Sequence, residues 1–385
     1  MVVTGLERLV QQQVSPLSDR KIGLLCHHAS FTSDLIFAAD TLTQAGGRIE
    51  RLLGPEHGPW GTAQDMIPVG GGKDRWTGME VVSLYGDNKQ SLRPDPCVFE
   101  GLDLLVIDLQ DVGARYYTYA CTAAFAAEVA AEAGVEVILC DRPNPIGGLA
   151  MEGNLLQPDC ASFVGMFPVL QRHGLTIAEL VLATTDCEIT VIPMDGWRRD
   201  MWFDQSGLPW IPPSPNMPSL TTAALYPGLC LLEGTTLSEG RGTTTPFEVF
   251  GAPFVEPFVL AKALNELNLP GVMARPHVFE PTFQKHALEE CGGVQLIITD
   301  RNALQPVRLG IAILTTLHKL WPNALEWRTE VYEFESDRKA IDLLLGNRSL
   351  RPMLESGASW EELTQGWSSQ EDQWKQECRQ WLLYD

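Results

Sequence analysis

Positive charge is scarce in this chain: 28 Lys and Arg stand against 49 Asp and Glu, for a formal net charge of −21. A nucleic-acid backbone needs an excess of Lys and Arg on some face. No basic run occurs, so no nucleic-acid partner is expected. Long apolar runs are also missing. No stretch approaches the ~18 uninterrupted apolar residues of a membrane helix, so no membrane span is expected. The longest near-apolar tract, 120–133, carries Glu128 and Glu132 and reads as a packed helix. The nine Cys are odd in number and contain no Cys-x-x-Cys pair. Cys26, Cys140, Cys187 and Cys230 lie in apolar, strand-like stretches, which points to buried reduced thiols. The start, Met1-Val-Val-Thr-Gly-Leu-Glu-Arg-Leu-Val10, is too short and too charged for a signal peptide. A cytoplasmic protein is therefore expected; export, with a leader absent from this chain, is the alternative.

Several motifs are absent. There is no Gly-x-Gly-x-x-Gly and no Gly-x-x-x-x-Gly-Lys-Ser/Thr, so a dinucleotide or nucleoside triphosphate loses its main claim and no cofactor is expected. Gly70-Gly71-Gly72-Lys73 lacks the Ser/Thr and follows no clear strand. Gly-x-Ser-x-Gly is absent too, which argues against a serine nucleophile elbow. His27 and His28 are adjacent, and neighbours in a strand point apart, so they make a poor metal pair.

What is present is alternation. Apolar strands are expected at 21–26, 49–53, 102–109, 135–140 and 188–193, with helices at 35–46 and 119–133 between them. Near-continuous apolar strands separated by helices indicate a parallel sheet covered on both faces. From 207 to 251, Pro, Gly, Ser and Thr dominate. Two Glu and an Arg in a fixed glycine frame mark this as an ordered loop region at the join of two domains. Helices at 257–267 and 307–320 and a strand at 293–299 follow, and 360–383 carries three Trp at helical spacings. The length of 385 residues fits two or three domains.

Three strands run straight into polar clusters: Gly54-Pro-Glu56-His57-Gly58, Asp108-Leu-Gln-Asp111-Val-Gly-Ala-Arg115 and Asp141-Arg142-Pro-Asn144. Parallel strands place their C-terminal ends on one edge, and ligands bind there. Glu56 beside His57 is a candidate proton-transfer pair. Glycoside hydrolysis needs a carboxylic acid for the leaving oxygen and a second group to activate water, attack C1 or steady the developing charge. The carboxylates available are Glu56, Asp108, Asp111, Asp141, Glu152, Glu233, Glu239 and Glu248. Asn144, Asn154, Asn216, Arg115, Arg142 and Arg241 suit sugar hydroxyls, and Trp60, Tyr85, Tyr116, Tyr117 and Tyr119 suit sugar faces. Strand-end caps and salt bridges are the plainer account of Asp108, Asp141 and Arg142.

The chain resembles the exo-β-N-acetylmuramidases of peptidoglycan recycling. The matching stretches begin with Gly54-Pro-Glu-His-Gly58, Ser83-Leu-Tyr-Gly86, Asp108 to Tyr119, Asp141-Arg-Pro-Asn-Pro145 and Glu152-Gly-Asn154. They continue with Pro212 to Pro218, Glu233-Gly-Thr235, Ser238 to Thr243, Pro246-Phe-Glu248, Cys291 to Gln295, Pro306-Val-Arg308 and Phe334-Glu-Ser-Asp-Arg338. Thr236 stands where the family commonly has Asn. The resemblance implies an α/β protein with a Rossmann-like parallel-sheet domain at 1–222, a smaller C-terminal α+β domain at 223–385, and the active-site cleft between them. It implies release of N-acetylmuramic acid from the non-reducing end of small glycan fragments. Glu56 is then the catalytic general acid/base, its pKa raised by the closed cleft, with His57 orienting it or touching substrate. Asp108, Asp111, Tyr119, Asp141, Asn144, Glu152 and Asn216 are expected to line the site. Arg115 or Arg142 is expected to hold the lactyl carboxylate through bidentate pairing. Glu239 and Arg241 would close the cleft, and Glu152, Glu239 or Glu248 would supply any second carboxylate. No metal is expected. Two alternatives stand beside this reading: a metal-assisted hydrolase built on His57, Asp108 and Asp111, and a catalytically silent muropeptide-binding module.

Overall fold

In β1 (Lys21–Cys26) the side chains divide between two cores. Ile22, Leu24 and Cys26 join one cluster with Leu6, Leu9 and Leu42, while Leu25 joins the larger cluster on the opposite face. The same split runs through β2 (Arg48–Gly54), where Leu52 goes to one face and Leu53 to the other. This is the period of two of a strand, with both faces buried.

The computed structural model describes residues 1–11 and 17–385. After β2 come two short edge strands, β3 (Gly72–Lys73) and β4 (Glu80–Ser83). The sheet is completed by β5 (Leu104–Asp108), β6 (Glu136–Cys140) and β7 (Thr190–Ile192). Its seven strands run in the order β3-β4-β2-β1-β5-β6-β7, parallel throughout except for β3 against β4. The edge strands were not expected from the sequence; both are short, and β3 lies in a run of glycines. Helices α1 (Gly5–Gln11) and α2 (Ala38–Gln44) feed one face. Helices α3 (Tyr119–Glu132) and α4 (Ile177–Leu182) feed the other. From β1 the chain steps outward to β2, then returns to the far side of β1 as β5. That reversal opens a crevice beyond the carboxyl ends of β1, β2 and β5.

The expected domain boundary at 222/223 falls within α5 (Leu220–Leu229). Beyond it, β8 (Val249–Ala252), β9 (Val272–Phe279) and β10 (Cys291–Ile298) form a small antiparallel sheet in the order β8-β10-β9. Helix α6 (Pro257–Glu266) packs on it, and α7 (Pro306–Leu320) packs on α6. Helices α5 and α7 cross where Gly228 meets Gly310: a Cβ on Gly228 would lie 1.7 Å from the Pro306 carbonyl oxygen. The α8 helix (Ala340–Leu345) and the Trp-bearing segments that follow close the fold. The larger apolar core runs without a break through both halves.

Asp108, at the end of β5, is fully buried and pairs with Arg142, Nε to Oδ1 at 2.6 Å and Nη2 to Oδ2 at 2.7 Å. Deleting one partner of a buried pair leaves the other charge uncompensated, at a cost of about 3–5 kcal/mol. Asp108→Ala should therefore destabilise the protein by that order, read as a lower urea midpoint. A change below 1 kcal/mol would show the pair to be dispensable.

Candidate active site

The turn after β2 aims Glu56 into the crevice. His57 and Gly58 both take positive φ, 70° and 77°, and the Gly58 amide donates to the Pro55 carbonyl at 2.9 Å. Gly54 has no room for a side chain, because a Cβ there would meet Pro59 Cδ at 2.6 Å. His57 in the left-handed region is uncommon for a non-glycine residue and marks local constraint. Glu56 is buried. Its Oε2 accepts from the Thr118 hydroxyl at 2.7 Å and its Oε1 from the Met66 amide at 3.3 Å. Thr118 stands just ahead of α3, on the segment that leaves β5. The turn from one strand and the segment from another thus fix one carboxylate between them.

A small pocket, with about 40 Å³ of free space, lies at this point. Both halves of the chain build it. Glu56, His57, Asp65, Thr118, Tyr117 and Tyr119 come from the parallel-sheet half, with Ser214 and Asn216 from the proline-rich loop. Tyr226, Glu233, Arg241, Phe247, Tyr332 and Glu333 come from the second half. The lining is acidic and aromatic: four carboxyls, one guanidinium and several tyrosines.

The carboxyls are held differently. Burial lifts Glu233, and nearby Glu239 and Asp65 add to the rise, against the opposing pull of Arg241. Arg241 Nη1 lies 2.9 Å from Glu233 Oε1 and 3.0 Å from Glu239 Oε1. Tyr332 donates its hydroxyl proton to Glu233 Oε2 at 2.8 Å. Burial and then the charge of Glu56 push Glu333 well above the carboxylate range. Glu239 is also buried, but Lys285 and Arg241 outweigh that burial and hold it at about 2.

Of the residues singled out in the sequence, Glu56, His57, Tyr116, Tyr117, Tyr119, Asn216, Glu233 and Arg241 line this pocket. His57 Nδ1 lies 3.0 Å from the Ala63 carbonyl oxygen, Tyr119 donates to the Pro213 carbonyl at 2.7 Å, and Asn216 donates to Gln64 at 2.8 Å. The others serve elsewhere. Asp108 and Arg142 bind each other, and Arg142 borders a separate depression with Phe31, Gln110 and Phe203. Asp111 accepts from the Gly113 amide at 2.6 Å, and burial lifts it to about 7. Asp141 accepts from the Ala178 amide and the Tyr384 hydroxyl, and burial likewise lifts it to about 7. Asn144 donates to the Leu175 carbonyl. Arg115 donates to four carbonyls, those of Asn154, Val169, Leu344 and Leu345. Glu152 accepts from the Val307 and Arg308 amides at the start of α7. Glu239 stands behind Arg241, outside the lining, and Glu248 accepts from Ser219 and Thr222. Thr236 is likewise outside the lining; its amide donates to the Glu326 carbonyl at 3.0 Å.

The set His57, Asp108 and Asp111 is not brought together. Among the described residues, no group of three or more His, Cys, Asp and Glu stands close enough to hold a metal ion. No helix among them is long and apolar enough to cross a membrane. Asp65, Thr118, Tyr226, Tyr332 and Glu333 were not singled out as site residues from the sequence. Thr118 sits inside the Tyr-Tyr-Thr-Tyr run, and Glu333 immediately precedes Phe334-Glu-Ser-Asp-Arg338, so proximity to those stretches was the available signal.

A Rossmann-like sheet with an acidic, tyrosine-lined pocket at its carboxyl edge has the make-up of a glycoside hydrolase. The chain belongs to the exo-β-N-acetylmuramidase family. Residues 22–221 match the family's N-terminal model and residues 224–384 its C-terminal model, both described as exo-beta-N-acetylmuramidase NamZ. The chain is 40% identical over 389 aligned positions to the peptidoglycan beta-N-acetylmuramidase NamZ of Bacillus subtilis strain 168, covering 100% of this chain and 91% of that protein. Two crystal structures of DUF1343 family proteins from Bacteroides fragilis superpose on it. One has a TM-score of 0.88 at 33% identity and the other 0.76 at 28% identity, each covering 100% of this chain and 99% of its counterpart.

Glu152 gives this arrangement a testable pH dependence. Burial lifts its carboxyl from the ordinary 4.5 to about 7, against the opposing pull of the Arg308 amide and guanidinium. Between those values the folded protein keeps a proton that the unfolded chain releases. Its contribution to stability is therefore complete below about 4.5 and is lost as pH rises through 7. Glu152→Gln cannot titrate. The melting temperature of the wild type minus that of the variant should fall between pH 5 and pH 8; a constant difference would contradict the assignment.

Proposed function

We infer that this protein is an exo-acting glycosidase that releases N-acetylmuramic acid from the non-reducing end of peptidoglycan fragments. The observation that carries the reading is Glu56, buried in a two-sided pocket at the carboxyl edge of the sheet and fixed by Thr118. The family membership supports the same activity. The disaccharide N-acetylmuramic acid–β-1,4–N-acetylglucosamine is the proposed minimal substrate.

In this reading Glu56 performs proton transfer at the glycosidic bond. Thr118 holds one of its oxygens and the Met66 amide the other, so the carboxylate cannot swing away from the bond it serves. Tyr117, Tyr119 and Tyr226 give faces and hydroxyls for the sugar ring. Arg241 is the arginine in the pocket lining, and it suits the lactyl carboxylate better than Arg115 or Arg142, which are bound elsewhere.

Incubation with the disaccharide should yield free N-acetylmuramic acid by mass spectrometry, and a strong chelator should leave the rate unchanged. Removal of a general acid or base typically costs about 10²–10⁴-fold, so Glu56→Gln should lose activity on that scale while melting as the wild type does. Binding without release would favour a muropeptide-binding module. Loss of activity with chelator would favour a metal-assisted reaction.

A further inference from the structure

Glu333 reaches the pocket in an unusual way. Tyr332 and Glu335 exchange both backbone hydrogen bonds, at 3.2 and 2.9 Å, so Glu333 and Phe334 form the tip of a two-residue turn. Both tip residues have positive φ, 46° and 65°. A turn of that kind favours Asn and Gly at these positions. Glu and Phe are held there by what they touch. Phe334 packs on Tyr85 with ring centroids 5.5 Å apart, and the Tyr85 hydroxyl donates to Glu333 Oε2 at 3.0 Å. Lys89 binds Glu335 Oε1 at 2.5 Å, and Arg338 holds the other oxygen at 2.7 Å. The tip is thus fastened to the segment after β4 in the opposite half of the chain. Among the described residues, no side chain or amide donates to Glu333 Oε1.

We propose that Glu333 is the general acid of the reaction, delivered across the cleft by this turn, and that Glu56 is its ionised partner. The assignment rests on the glycosidase reading above. Glu56 accepts two hydrogen bonds, as a carboxylate does, whereas Glu333 accepts one and faces the charge of Glu56. Two like carboxyls sharing a site do not both ionise readily, and the one with weaker support keeps the proton. The proton passes from Glu333 to the glycosidic oxygen as the C1–O bond breaks, and the bonding pair stays with that oxygen. Water adds at C1 and gives its proton to Glu56. The pair then resets by exchange with solvent.

An acid is needed least when the leaving group is already good. Glu333→Gln should therefore slow cleavage of the disaccharide by about 100-fold or more. On the 4-nitrophenyl β-glycoside of N-acetylmuramic acid, it should stay within about 10-fold of wild type. Equal loss on both substrates, or no loss on the disaccharide, would overturn the assignment. Wild type that fails to cleave either substrate would instead sink the glycosidase reading itself. Tyr85→Phe is the second variant and leaves the acid in place. It removes the hydrogen bond that stabilises the ionised form of Glu333, so the alkaline limb of kcat/KM should move to higher pH. An unmoved or lowered limb would contradict the role given to Glu333.

Discussion

The pocket is assembled from two halves, so its geometry depends on how those halves are held together. Two buried side chains do this at helix ends. Glu152 reaches from the parallel-sheet half to the first amides of α7. Arg115, from the same half, reaches the last carbonyls of α8 through its Nη2. A hydrogen-bond acceptor at a helix N-terminus and a donor at a C-terminus satisfy backbone groups that the helix cannot. Gly346 makes the second contact feasible: it caps α8 at positive φ, and a Cβ there would meet Arg115 Nη2 at 2.4 Å. With both clamps set, the turn carrying Glu333 arrives opposite Glu56.

The parallel sheet was legible because its strands are buried on both faces and its helices end at glycines. The strands at 21–26, 49–53 and 135–140 are each found within about a residue or two of expectation. The small second sheet was only partly legible: β10 was expected, β8 and β9 were not. Strand β9 holds Pro276 and alternates irregularly between buried and exposed positions, so neither periodicity nor composition marks it. At the site, Glu56 could be read because position and chemistry coincide, a carboxyl in a glycine turn after a strand. Arg115, Arg142 and Asp108 share that signature of charge in the segments that follow strands, but the structure uses them for ion pairing and helix capping. Sequence cannot separate the two uses, since both call for the same residue types at the same edge.

Glu333 was hidden for a different reason. The stretch Tyr332-Glu-Phe-Glu335 alternates apolar and polar residues, as a strand would. It has no Gly, Asn or Asp at the two turn positions, so the usual marker of a tight turn is missing. Backbone at positive φ costs on the order of 1–3 kcal/mol per non-glycine residue. Here the cost falls on the two tip residues, and contacts with Tyr85, Lys89 and Arg338 offset it. A glycine would relieve the strain and remove the carboxyl.

The chain's acidity then takes a local meaning. A muramic acid unit carries its own carboxylate, and a protein of net charge −21 with four ionised carboxyls in the pocket would repel it. Repulsion requires that those groups be ionised. Glu333 and Glu233 are both pushed towards the protonated form by burial and by neighbouring carboxyls. A protonated carboxyl is a hydrogen-bond donor, not a negative charge. Arg241 sits among Glu233, Glu239 and Asp65, which keep it charged and in place. Crowding carboxyls around one guanidinium thus does two things at once: it anchors the cation in the lining and raises the proton affinity of Glu233. The balance of protons inside the cleft, more than the net charge outside it, decides what the pocket can accept.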